Sequence, residues 1–229
     1  MGRLVLLLCA VPLLAGCATK LGAIEDYVAG VKSYKARDLA AAEKSWKSAF
    51  EAFHKNRSWS ESADVAANLG ALYLGQHRYE EALGFLEWAA RVRELAREPV
   101  PRARILLDMS AVDRMLLKTP SAIGRADEAY AVFSTQGNAK GRAEARAQRG
   151  MAQFAAEDLD GARASLEEAR TLYEAANDTD GAVLTASRLV FVYDALGEAG
   201  KSAGALADDA VTKSVGRDAS VRAAALMAR

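Results

Sequence analysis

The sequence predicts an all-α chain of about five antiparallel helix hairpins, and three observations carry that expectation. Alanine is abundant, only 4 of the 229 residues are proline and β-branched residues are few, a composition that favours helix. Residues of one size class return every forty positions through most of the chain. Acidic and basic residues alternate between the apolar positions, which is the pattern of a solvated helix face.

The amino end stands outside that array. Met1-Gly2-Arg3 is a short basic start, and residues 4–14 are almost wholly apolar. Such a run is too short to span a bilayer as helix, which takes ~20 residues. It fits a secretory h-region, with the small residues Ala15 and Gly16 as a cleavage site. The run stops at Cys17. Together Leu14-Ala15-Gly16-Cys17 resembles the lipobox of bacterial lipoproteins. That resemblance implies removal of residues 1–16, a diacylglycerol on the Cys17 sulfur, and a lipidated tether over 17–22. The alternatives are a plain signal peptide with an incidental cysteine, or a short buried helix. Eukaryotic myristoylation also begins Met-Gly but calls for Ser or Thr at position 6, where this chain has Leu6. Each buried CH₂ contributes ~0.8 kcal/mol, so two or three acyl chains would hold the protein durably at a membrane. Ala18 follows the cysteine where the family's inner-membrane members carry Asp. The resemblance therefore implies an outer-membrane lipoprotein facing the periplasm if the cell is Gram-negative.

The remaining elements follow the period of forty. Gly30, Gly70 and Gly150 mark it, Ser110 fills the missing place, and Val190 is a fifth, weaker member. Twelve residues after each come Ala42, Ala82, Ala122, Ala162 and Ser202. Seven further on come Ala49, Ala89, Ala129, Ala169 and Asp209. Between the two small-residue series stand Trp46, Leu86, Ala126, Leu166 and Leu206. Small residues let two helices approach, and the large residue between them fills the gap toward the next unit. In the second copy Leu69 to Tyr73 closes one helix, Gly75 to Arg78 turns, and Tyr79-Glu80-Glu81 opens the next with acids where the helix dipole favours them. In the third copy Thr119-Pro120-Ser121 replaces the usual turn, and proline suits a first helical turn. A hairpin of this kind cannot bury its apolar face alone, so the units must stack.

These residues carry a second resemblance. Leu69-Gly70, Tyr73, Tyr79, Ala82, Leu86 and Ala89 are similar in order and spacing to the tetratricopeptide repeat. Gly150, Leu159, Ala162, Leu166 and Ala169 match the same pattern, as do Gly30, Leu39, Ala42, Trp46 and Ala49. The resemblance covers about residues 23–215 and implies a right-handed α-solenoid, with 216–229 as a C-terminal capping segment. The common repeat is 34 residues and this one is 40. The extra residues are expected between the second helix of one hairpin and the first of the next. HEAT-like repeats share a period near forty, but the small-residue series fits them less well.

Several kinds of chemistry find little support. Net charge is zero, with 30 basic and 30 acidic residues, unlike the basic excess of a nucleic-acid binder. Cys9 lies in the leader and Cys17 is the lipidation site, so no thiol remains for a disulfide or a metal. No second histidine or cysteine stands at helical spacing from His54 or His77. No catalytic constellation is readable, and no cofactor beyond the lipid is expected. Residues 195–202 (Ala-Leu-Gly-Glu-Ala-Gly-Lys-Ser) satisfy a loose form of the phosphate-binding loop. That loop works after a strand, whereas this stretch follows an expected helix. A nucleotide-dependent enzyme is thus one alternative, and a passive spacer is another.

In tetratricopeptide arrays the first helix of each unit lines a surface that binds peptides or extended protein segments. Carried over, that surface holds a row of Asn68, Asp108, Gln148 and Arg188 and a second of Asp64, Arg104 and Glu144. Apolar members are Tyr34, Leu74, Phe154 and Phe191, with Arg114 at the equivalent place in the third copy. Arg149 is an oddity, taking the place of Leu69, Met109 and Leu189. The expected function is a membrane-anchored scaffold or assembly factor of the cell envelope, similar in layout to the small lipoproteins called pilotins. Its partner would be another envelope protein or peptide segment, with no small-molecule substrate.

Overall fold

The computed structural model describes residues 10–198 and 201–228, and side chains over 20–198 and 203–228. Residues 1–9 and the Cys17 side chain lie outside this, and with them the leader and lipidation expectations. Among the described residues there are eleven helices and no strand: α1 (Ala10–Lys35), α2 (Leu39–Lys55), α3 (Trp59–Gly75), α4 (Tyr79–Leu95), α5 (Pro99–Met115), α6 (Thr119–Thr135), α7 (Ala139–Ala155), α8 (Leu159–Ala175), α9 (Thr179–Ala195), α10 (Lys201–Lys213) and α11 (Ala219–Met227). They form two compact units dividing between Glu98 and Pro99, α1–α4 in the first and α5–α11 in the second.

One turn explains the spacing. Helices α2 to α9 are each 17 residues long and are joined by three-residue linkers. The middle residue of each linker has positive φ: Arg37, Arg57, His77, Arg97, Leu117, Gly137, Glu157, Asn177 and Gly197. Its N–H bonds the carbonyl three residues back, as His77 does to Leu74 at 3.1 Å. The next N–H bonds the carbonyl five back, as Arg78 does to Tyr73 at 2.9 Å and Asp158 to Gln153 at 3.0 Å. Together these bonds satisfy the carbonyls a helix end leaves open, in the Schellman pattern. At four of the linkers the third residue then caps the next helix with its side chain. Carboxylate or amide oxygens of Asp38, Asn138, Asp158 and Asp178 accept from the N–H groups of Ala41, Gly141, Gly161 and Gly181.

This corrects one expectation. The residues beyond the common repeat length are not in the connection between hairpins, because every linker from α1 through α9 has three residues. The turn's hydrogen bonds set its length, so added residues can only lengthen helices. A second difference lies at the start. The tether expected over 17–22 is itself helical, because α1 already runs from Ala10. No proline interrupts residues 18–22, and a single glycine does not stop an established helix.

Within each unit the small and large residues meet as expected. A Cβ built on Gly70 would stand 2.5 Å from the Cγ of Leu86, and one on Gly150 would stand 2.7 Å from the Cγ of Leu166. Gly30 lies equally close under the Trp46 ring. At the third copy Ser110 is buried and its hydroxyl donates to the Ala122 carbonyl at 2.7 Å. Leu86 and Leu166 are fully buried between Ala82 and Ala89 and between Ala162 and Ala169. At the carboxyl end α11 sets Val221 and Ala225 against Val183, Ala186 and Ala210 of α9 and α10. In the first unit Glu43 accepts from Lys47 (2.7 Å), Tyr73 (3.0 Å) and Arg78 (2.8 Å). Burial would raise the Glu43 pKa, but these three bonds outweigh it and bring it to about 2.

Two glycines test the close approach against helix propensity. Gly84 in α4 faces open space, whereas Gly150 faces Leu166. Gly84→Ala is expected to raise the unfolding free energy by up to ~1 kcal/mol, and Gly150→Ala to lower it by about 1–3 kcal/mol, in urea titrations. The turn is tested at Leu117, which is exposed at φ 57°. Leu117→Gly should stabilise by about 1 kcal/mol, because a left-handed residue with a Cβ is strained.

Candidate functional site

The first helices of the second unit, α5, α7 and α9, lie side by side and present Asp108, Gln148 and Arg188 in one row. What aligns them is the constant helix length, since each is the tenth residue of a 17-residue helix. All three are half-buried. Among the described residues no side chain hydrogen-bonds to or forms an ion pair with any of them. None of the three holds a polar atom that is both buried and unpaired, so the acid, the amide and the guanidinium stay open to water or to a ligand.

The electrostatics fit a recessed face. Burial pushes the Asp108 carboxyl up to about 6, the charge of Glu144 adds to the rise, and Arg104 opposes it. Burial raises Glu144 as well, against Arg104 and Lys140. Arg104 and Glu144 stand 3.8 Å apart, α5 to α7. Lys140 pairs with the capping carboxylate of Asp178 at 2.7 Å. At the other side of the row, burial lowers Arg188 and nearby Arg114 lowers it further. The Tyr173 hydroxyl, buried below, is raised by burial first and by Glu144 second. The face is therefore acidic toward Asp108 and Glu144 and basic toward Arg188 and Arg114. It offers acceptors, donors and one amide that does both.

The apolar members are split. Phe154 is partly buried against the core around Leu166 and Leu189. Phe191 is exposed and lines a cleft of about 280 Å³ with Val190, Asp194, Ala207 and Ala228. In the first unit Asn68 donates to the Tyr27 hydroxyl at 3.4 Å, and Leu74 is half-buried. Tyr34 stacks at 5.5 Å on Trp46 and edges a cleft of about 340 Å³ with Arg37, Leu39 and Leu72. Asp64 is already engaged, by the guanidinium of Arg93.

Several polar residues escaped the sequence reading. Buried Arg93 donates to the Ser60 hydroxyl at 2.7 Å and also bonds Asp64 and Glu98. Buried Asp113 faces Arg125 at 3.2 Å. Both occupy the third-from-last place of their helix, which Phe53, Tyr73, Phe133 and Tyr173 fill elsewhere. A search at half the repeat length would have exposed that column. Arg149, the oddity of its row, reaches Asp127 on α6 at 3.0 Å, beside Arg146, which also bonds Glu168 and stacks at 3.8 Å on Tyr130.

The phosphate-loop match is a helix end. Ala195 closes α9 and Gly197 takes the positive φ of the turn, while Ala199, Gly200 and the Lys201 side chain lie outside the described residues. Both histidines are exposed, and His77 meets the Tyr79 hydroxyl at 2.8 Å. Among the described residues no three His, Cys, Asp or Glu gather as a metal site, and no helix is long and apolar enough to cross a membrane.

Antiparallel helix pairs of constant length, closed by a glycine-on-leucine contact, define a helical repeat protein of the tetratricopeptide-like class. No protein-family model matches the sequence, and no curated protein matches it. Solved structures do match in fold. The aspartyl phosphate phosphatase F of Bacillus subtilis superposes with a TM-score of 0.79 at 14% identity, covering 92% of this chain and 55% of its own. The Rap conjugation gene regulator of plasmid pLS20, solved in complex with the Phr* peptide, gives 0.71 at 13%, covering 83% and 52%. A putative kinesin light chain with nearly identical TPR-like repeats from Podosopora anserina gives 0.68 at 12%, covering 83% and 93%. The chain spans about half the length of the first two. At these identities the likeness establishes the fold.

The raised Asp108 carboxyl has a measurable consequence. Its folded pKa of about 6 exceeds the ordinary 3.8, so the folded state holds the proton more tightly. The cost of ionising it is absent below about pH 4, grows as pH rises through 6, and is complete above. Asp108→Asn should therefore match the parent near pH 4 and exceed it by up to about 2 kcal/mol at pH 7, read by unfolding at both values.

Proposed function

We propose that the chain is a membrane-tethered interaction module that holds an extended segment of another cell-envelope protein on the α5–α7–α9 face. The observation that carries this is the row of Asp108, Gln148 and Arg188, whose polar atoms have no partners of their own. An extended segment brings backbone N–H and C=O groups at regular intervals and side chains of either charge, and so supplies what each lacks. The pLS20 regulator, similar in fold, is a protein solved with a peptide bound. The reading includes no catalytic step, no cofactor and no small-molecule substrate.

The tether belongs to the same proposal and rests on the lipobox-like residues 14–17. With α1 helical through this stretch, Cys17 and Ala23 are separated by ~9 Å along the helix axis, not the ~20 Å of an extended tether. An acylated Cys17 would hold the first hairpin at the bilayer, the outer membrane if the cell is Gram-negative. That suits a factor that helps place or assemble an envelope machine.

Crosslinking the intact protein in its native cells, followed by mass spectrometry, should recover an envelope protein. The double variant Asp108→Asn with Arg188→Ala should reduce that capture at least about tenfold, because two desolvated charges lose their ligand contacts. Asp108→Asn by itself is expected to stabilise the fold, so loss of capture with full stability marks a binding defect. Unchanged capture would leave the face as a spacer. Mass spectrometry of the processed amino end should show an acylated Cys17, and an unmodified cysteine would remove the tether.

A further inference from the structure

The outer side of α1 carries an apolar stripe. Leu21, Ile24 and Val28 are 59%, 43% and 58% exposed, and their spacing of three and four puts them on one side of the helix. The opposite side is the packed one: Ala23 and Gly30 are buried, with Gly30 against Trp46 of α2. The stripe has a direction. One turn before Leu21 in the helical register comes Cys17, and one turn after Val28 come Lys32 and then Lys35, both exposed in the last turn. Glu25 flanks the line, and Asp26 turns away to accept from the Ser48 hydroxyl at 2.6 Å. Along one side of one helix the order is therefore the anchor position, three apolar side chains, and two lysines.

We infer that this side of α1 is a membrane-surface contact: the helix lies along the bilayer, with Leu21, Ile24 and Val28 in the headgroup–acyl boundary and Lys32 and Lys35 on anionic headgroups. The inference rests on the tether reading for its proximity to lipid, and on the stripe for its orientation. Among the described residues no helix is long and apolar enough to cross a membrane, so the contact lies on the surface and does not span it. A second copy of the chain is the other occupant of an open apolar face. Three side chains along ~10 Å of helix offer far less than the ~800 Å² per partner of a stable interface. Two lysines at the end of the stripe suit anionic lipid instead. An acyl chain leaving from position 17 on this side would draw the stripe to the bilayer without turning the helix. The contact adds orientation to an anchor that by itself leaves the array free to rotate.

The test uses the full chain, produced in a bacterium, purified in its processed form and reconstituted in vesicles of phosphatidylethanolamine and phosphatidylglycerol. A polarity-sensitive fluorophore is placed at Val28→Cys, or at Glu51→Cys on the exposed side of α2 as control. Nitroxide-labelled phospholipid should quench the label at position 28 several-fold more than at 51, and Lys32→Glu with Lys35→Glu should reduce that difference. Equal quenching at the two positions would overturn the inference. So would a label at 28 that is shielded from water yet insensitive to lipid nitroxide in a chain that sediments as a dimer, since the face would then belong to a second copy. The tether is judged separately by the mass of the processed amino end. An acylated Cys17 with equal quenching refutes the stripe alone, and an unmodified cysteine with vesicle-dependent quenching at 28 refutes the tether alone.

Discussion

The structure depends on a turn of three residues whose middle member must adopt a left-handed backbone. Glycine takes that conformation freely, but here it is more often Arg37, Arg57, His77, Arg97, Leu117 or Glu157. A strain of ~1 kcal/mol or more at each is tolerated because two backbone bonds close the helix behind it, and after Arg37 and Glu157 a side-chain cap opens the next. Since the turn keeps this length from α1 through α9, helices α2 to α9 all have the same number of residues. Equal helices in turn bring equivalent positions to equivalent heights, which is how residues forty apart become neighbours on one face.

The third-from-last place of these helices shows how far that regularity can be bent. It is filled by an aromatic ring at Phe53, Tyr73, Phe133 and Tyr173, but by Arg93, Asp113 and Gln153 at three others, all buried. Burying a charge is costly unless it is paired and hydrogen-bonded. Arg93 is surrounded by Ser60, Asp64 and Glu98, and Asp113 faces Arg125. Gln153 donates to Asp158 at 2.9 Å and accepts from Ser165 at 2.6 Å. These substitutions are compensated inside the fold, so they are structural polar sites.

The row at Asp108, Gln148 and Arg188 differs on that point. Its members are half-buried, and no side chain among the described residues hydrogen-bonds to them or pairs with them. Asp108 is raised and Arg188 lowered, both mainly by burial, so each reduces stability in its charged form. Groups that weaken the fold and contact no partner within it are better explained by a ligand than by packing.

By itself the sequence determined the helical class, the period of forty, the pairing of small with large residues at Gly70 and Leu86 or Gly150 and Leu166, and the side of each first helix that carries the polar row. Those features follow from local propensity and from contacts that repeat, which one chain displays several times over. It did not determine where the added residues go, because the turn's hydrogen bonds and not its composition set the linker length: Arg57, Leu117 and Glu157 carry no turn signature. Nor did it reveal that Asp64 pairs with Arg93 while Asp108 has no hydrogen-bond or ion-pair partner among the described residues. Both read as polar members of one expected surface, and only the tertiary structure, by bringing one helix's guanidinium to a neighbour's carboxylate, decided which acid is occupied and which is open.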